Sequence, residues 1–241
     1  VASLLTANDD ARGSDQAALG RLINIAGRQR MLAHRAVMFL ALSRVPGVGD
    51  EAELFDAVAD TLNAFGAGVE LMLRGDPEQG LAPLSSERAR QLLDSPQRSA
   101  RTGAADLEGF GARGKACLDQ LRKGDECARE IRLLAEMAGD VLLPLLNDIV
   151  AALEADLADA VAAEAERVAD VRAVMTGALE DIEQTATRIR LIAFNALIEA
   201  ARAGNAGRAF SVIADEIRIL GTHTGEESAK MHAAVRRLFA A

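Results

Sequence analysis

Arg30 sits on the apolar line of a helix-forming stretch, with Ile23, Ala26, Ala33, Val37 and Leu40 recurring around it at spacings of three and four. A guanidinium in that position is costly unless it is paired or holds an anion. Two readings follow. Arg30 meets a carboxylate of its own bundle or snorkels to solvent, or it is a ligand for a small anion. A second group lies near the other end of the chain. Glu199 and Arg202 are three residues apart on one helical face, with Asn195 one turn back. Phe194 and Leu197 fall off the inner seam of the same helix, so polar groups surround an apolar centre, as on a protein contact surface. The plainer alternative is a surface ion pair worth under ~1 kcal/mol.

Other chemistry is missing from the pattern. Cys117 and Cys127 flank a turn at Lys123-Gly124-Asp125, match no metal motif and read as small buried apolar residues. His34 reads as packed or exposed, and 3 histidines in 241 residues argue against haem or metal. No nucleophile–base pair, metal cluster or phosphate loop is visible, so neither an enzyme nor a cofactor is expected. A net charge of −9 without a basic stripe argues against a nucleic-acid partner. No apolar run reaches the ~18 residues that cross a bilayer, and the first residues lack a signal peptide's charge and apolar core. The expectation is a soluble cytoplasmic chain, with a membrane-anchored parent left open.

Helices must carry these residues. Half the chain is hydrophobic but only 3% aromatic, and it is rich in alanine and leucine, both strong helix formers. The pattern predicts a first helix from Asp15 to Arg44, ending before Pro46-Gly47-Val48-Gly49. Asp50, with Glu53 closing a capping box, opens a second helix to Arg74. A polar loop to Ser85 leads to a third helix, Ser86 to Arg122, interrupted near Ser95-Pro96. A fourth starts near Asp125, is kinked by Pro144 and finds no stop before Gly204. Four helices joined by short loops make an up-down four-helix bundle over residues 1–150. Residues 151–241 read as a connector helix continuing into an antiparallel coiled-coil hairpin. Ile182, Ala186, Ile189, Ala193, Ala196, Ala200 and Ala203 form its incoming seam; Phe210, Ile213, Ile217 and Leu220 form the outgoing one. The tip is residues 204–207, whose glycines can take the positive φ of a sharp reversal.

The letters of the tip add to its period. Asn195-Ala-Leu-Ile-Glu199-Ala-Ala-Arg202-Ala-Gly204 and Gly207-Arg208-Ala-Phe-Ser-Val212-Ile-Ala-Asp215-Glu216 resemble the signalling tip of bacterial methyl-accepting chemotaxis receptors. That resemblance implies that Asn195, Glu199 and Arg202 face neighbouring chemoreceptor dimers. It implies that Arg208, Val212 and Glu216 meet a coupling adaptor or histidine kinase. The chain departs from the family at Arg188-Ile189-Arg190, Asn205-Ala206 and Ala209. The outgoing arm runs 34 residues past Gly207, so no extended stalk is expected.

Ile23-Asn24-Ile25-Ala26-Gly27-Arg28-Gln29-Arg30-Met31-Leu32, with Arg35 beyond, resembles a PilJ-type sensor module, also found in nitrate and nitrite sensor kinases. By that resemblance Arg30 contributes, from each of two subunits, to a small-anion site at a two-fold interface. Asn24, Gly27, Arg28 and Arg35 of the same block are the other candidate ligand residues. A second apolar seam on the first helix (Leu22, Ile25, Leu32, Ala36 and Phe39) exceeds what one bundle face needs and predicts a parallel homodimer. The sequence therefore reads as an all-α chemoreceptor-like signal transducer that senses a small ligand and relays it to a chemotaxis kinase and adaptor. The rival is a scaffold or competitor that binds receptors or adaptor through its tip without sensing. Arg30 in a two-fold pocket favours the sensor; Arg30 paired internally favours the scaffold.

Overall fold

The computed structural model describes residues 2–239 apart from 79, 80, 85, 97 and 98, with side chains described from residue 15 onward. Ser85, where the polar loop was expected to end, lies outside the described residues. Helix α1 spans Ala2–Leu42, so helical backbone continues well ahead of the predicted start at Asp15. It stops where Gly47 and Gly49 take positive φ values of 79° and 71°. Helix α2, Glu51–Arg74, is capped by Asp50, which accepts from the Ala52 N–H at 2.9 Å. The cap bond therefore falls on Ala52 and not on the Glu53 amide that a capping box uses. Gly75 ends α2 with φ 71°, and a Cβ there would collide with the backbone of residues 81–83. Only glycine satisfies both demands.

The predicted third helix is two helices. Helix α3, Glu87–Asp94, is capped by Ser86, and α4, Gly103–Arg122, is capped by Thr102. Pro96, which cannot continue a helix, instead forms an isolated bridge with Thr102. Helix α5, Ala128–Glu136, passes without a break into a π-helical segment, Met137–Leu142, and then into α6, Leu143–Arg202. The predicted kink site is thus a widened turn. The Leu143 N–H reaches back to Ala138, which eases the clash a proline ring at Pro144 makes with the carbonyl four residues earlier.

Contacts divide the chain into Val1–Val161 and Ala162–Ala241, inside the same helix that the sequence reading divided after residue 150. In the first unit α1 packs on α2 and on the α5–π stretch, and α4 packs on α2 and α5. That closes an up-down bundle. Its core includes Leu22, Leu40, Leu62, Met72, Leu107, Leu145 and Ile149, with Phe65 edge-on to Phe110 at 5.1 Å. Arg88 of α3 reaches Asp156 at 2.6 Å and Asp159 at 2.9 Å, tying α6 to this unit nearly to its boundary.

The second unit is a hairpin of α6 and α7, Arg208–Leu238, joined by a 3₁₀ turn at Gly204–Gly207. The buried residues recur every seven positions: Leu179, Ala186, Ala193 and Ala200 on α6, Gly207 at the end of the turn, and Ala214, Gly221, Ser228 and Val235 on α7. Small side chains let the backbones approach closely, and Ser228 donates to the Leu179 carbonyl at 3.0 Å. This corrects the outgoing seam. Phe210, Ile213, Ile217 and Leu220 are 40–59% exposed, because the residues that meet α6 lie one line over. The tip needs a correction too. Gly204 has φ 59°, but Gly207 has φ −87° and is required only because a Cβ would strike the Ala200 carbonyl.

Candidate functional site

The sequence-predicted ligand residues fall on different faces of α1. Leu22, Ala26, Gln29, Leu32, Ala33, Ala36 and Leu40 are buried in the bundle, with Ile25 and Phe39 packed against them. Both predicted seams therefore face the chain's own core, so two seams on α1 do not by themselves call for a second subunit. Arg30 is half-buried and donates to Asn147 Oδ1 on α6 at 2.6 Å. It is paired inside its own bundle, with a neutral amide and not with the carboxylate considered above. Asn24, Arg28 and Arg35 lie outward and exposed, and Gly27 is half-buried between the two faces.

Asn24, Arg28, Met31, Arg35 and Met38 recur at spacings of four and three, so they make a single outward stripe. Met31 is 56% and Met38 is 49% exposed. Arg35 lies over the Phe39 ring at 5.1 Å, while Arg28 has no hydrogen-bond or ion-pair partner among the described residues. Exposed methionines alternating with arginines suit a surface that is dry in part and positive in part. The methionine spacing was readable from sequence, but the more continuous apolar line through Arg30 masked it. Gln29 was not singled out at all. It is 1% exposed, its side chain fills the notch at Gly68 of α2, and its Oε1 has no partner.

At the tip, Asn195, Glu199, Arg202, Arg208, Val212 and Glu216 are all exposed. Glu199 and Arg202 form an ion pair at 2.6 Å, so the plain surface-pair reading is part of the picture. Around them Leu191, Ile192, Phe194 and Val212 are 56–70% exposed. A further apolar line on each helix is open. Val168, Met175 and Ile182 on α6, and Phe210, Ile217, Met231 and Leu238 on α7, keep multiples of seven and are 38–73% exposed. Each helix thus carries a small-residue line used inside the hairpin and a larger apolar line that is not. Cys117 and Cys127 are buried, as the sequence suggested. The Cys127 thiol donates to Gln120 Oε1 at 3.1 Å, and burial, then Cys127, push the Cys117 thiol up to about 12. Among the described residues no helix is long and apolar enough to cross a membrane.

Comparison with known proteins matches two family models. Residues 14–103 match the N-terminal region of type IV pili methyl-accepting chemotaxis transducers, the PilJ family. Residues 146–240 match the methyl-accepting chemotaxis protein signalling domain. The methyl-accepting chemotaxis protein McpN of Pseudomonas aeruginosa is 29% identical over 212 residues, covering 75% of this chain and 39% of its own length. CtpH of the same species is 52% identical over 54 residues, covering 22% of this chain and 10% of CtpH. McpP of Pseudomonas putida is 45% identical over 62 residues, covering 26% and 11%. The chain thus spans well under half the length of these relatives. No solved structure matches it.

Proposed function

We propose that this chain, a methyl-accepting chemotaxis-type signal transducer built from a PilJ-type module followed by a signalling domain, senses a small anion at the outward stripe of α1. The reading assigns it binding and relay, with no catalysis. What carries it is Arg28, an exposed guanidinium without a partner among the described residues, flanked by Asn24, Met31 and Arg35. Two such stripes brought together on a two-fold axis would oppose like charges. A bound anion relieves that repulsion while the methionines exclude water. The ligand therefore favours one packing of the paired helices over another, a population shift. The tip would pass that bias in the cytoplasm to a coupling adaptor and histidine kinase through Arg208, Val212 and Glu216. Asn195, Glu199 and Arg202 would meet neighbouring receptors. Titration of nitrate and other small anions into the whole chain tests the sensing half. Arg28→Ala should abolish binding and Arg30→Ala should leave most of it.

One observation favours the second reading, a scaffold or competitor. Arg30 is bonded internally to Asn147. Under that reading no anion binds, yet the tip still captures adaptor or chemoreceptors. Glu199→Ala and Val212→Ala, both exposed positions, should each weaken that capture with helicity unchanged. If capture is undiminished in both, the contact residues lie elsewhere.

A further inference from the structure

A groove between α2 and α4 belongs neither to the α1 stripe nor to the tip. It holds about 360 Å³ over a floor of Phe65, Val69 and Leu107. Two glycines give it depth, Gly66 on α2 and Gly111 on α4. A Cβ at Gly66 would meet nothing within 4 Å, and one at Gly111 would meet only Phe65 at 3.8 Å. The neighbouring glycines have steric reasons: Gly68 admits Gln29 and Gly114 admits Leu62. Gly66 and Gly111 have none, and glycine inside a helix weakens it relative to alanine. Both face one groove, and their missing side chains leave it open.

The two unpaired charges at its rim are of opposite sign and stand apart. Gly114 against Leu62, and Phe110 against Phe65, set α2 and α4 in antiparallel register. Glu108 therefore lies toward Glu70 at one end of the groove and Lys115 lies at the other. Glu70 is engaged with Arg74 at 2.9 Å, whereas Glu108 and Lys115 have no hydrogen-bond or ion-pair partner among the described residues. They stand on one face of α4 two turns apart, about 10 Å along the axis.

We propose that this groove binds a small amphipathic zwitterion whose ammonium and carboxylate are separated by an apolar body, the chemistry of a short apolar peptide. The ammonium faces Glu108, the carboxylate faces Lys115, and an extended tripeptide covers the ~10 Å between them. Its side chains lie against Leu73 and Ala112, the apolar lining that is open to solvent, and its peptide groups stay solvated on the open side. Glu108, Gly111 and Lys115 on α4 lie between the two matched regions, whereas the α2 wall of the groove lies within residues 14–103. The site is independent of the anion reading of α1.

The test is calorimetric titration of the whole chain with the tripeptide Leu-Ala-Leu. Saturable binding is expected. It should weaken severalfold, up to the roughly fivefold that one exposed ion pair yields, when the peptide is N-acetylated or C-amidated, and at least as much in Lys115→Glu, where the charge is reversed. Gly111→Val, which fills the groove, should remove binding, and Gly66→Ala should weaken it if the valine variant does not fold. Absence of saturable binding at millimolar peptide would overturn the proposal. So would equal binding of the doubly capped peptide, or full affinity in a folded Lys115→Glu chain.

Discussion

Arg28 and Arg30 stand two positions apart on α1 and meet different surroundings. Arg30 donates to Asn147 at 2.6 Å, while Arg28 points outward. A hydrogen bond from a charged donor, discounted for its contact with solvent, contributes about 1 kcal/mol. Urea denaturation of Arg30→Ala should show that loss, and Arg28→Ala should stay within ~0.5 kcal/mol of the parent. Cys117 gives a pH-dependent counterpart. Its folded-state thiol is raised from 9.0 to about 12, first by burial and then by Cys127. A proton held more tightly in the folded state stabilises it below the unfolded value. That contribution is present up to about pH 9 and is lost as pH rises toward 12. Chemical denaturation across that range should show stability falling with pH, and Cys117→Ala should flatten the fall. At this scale the sequence was only partly legible. It marked the arginine-rich block but could not rank the arginines, because Arg30's partner Asn147 is 117 residues away. Gln29 fills the gap between Ile25 and Leu32 in the second seam, so its burial was readable from spacing, but its fit into the notch at Gly68 of α2 was not.

Among the elements, helix stops were readable wherever a local residue enforces them. Gly75 and the Pro46-to-Gly49 stretch are such cases. The division of the predicted third helix was half readable: Pro96 marked the break, but α4 waits until Thr102 supplies a cap. The hairpin was legible as a hairpin, yet its outgoing seam was displaced, because the eye follows large apolar residues and α7 packs through small ones. The two tip glycines separate under substitution. Gly204→Ala must hold an alanine at φ 59°, a cost of about 1 kcal/mol. Gly207→Ala also drives a methyl group into the Ala200 carbonyl and should cost more, about 2 kcal/mol or above. Thermal melts of both variants, followed by circular dichroism, give the order; equal midpoints would mean that the tip relaxes freely.

For the molecule as a whole, the open apolar lines decide the state of assembly. Phe210, Ile217, Met231 and Leu238 repeat at multiples of seven and are 40–73% exposed in the single chain. A coiled coil with only half of its apolar lines covered gains from a second copy, in keeping with the dimerisation general to this signalling domain. Light scattering at micromolar protein should give a dimer mass, and Ile217→Glu should shift it toward monomer while leaving α6 and α7 helical. A monomer mass for the parent chain would remove the two-fold axis on which the anion reading depends. The buried lines of the hairpin have an evolutionary consequence. Leu179 to Ala200 and Gly207 to Val235 are laid out in strict sevens on the two sides of one turn. Losing a single residue from either arm swings everything beyond it by about 100° and brings charge into the seam. Losing seven from one arm keeps the faces but leaves the other without a partner at its end. Only matched losses or gains of seven, one in each arm, preserve every pairing, so the length of this hairpin can be inherited only in paired heptads.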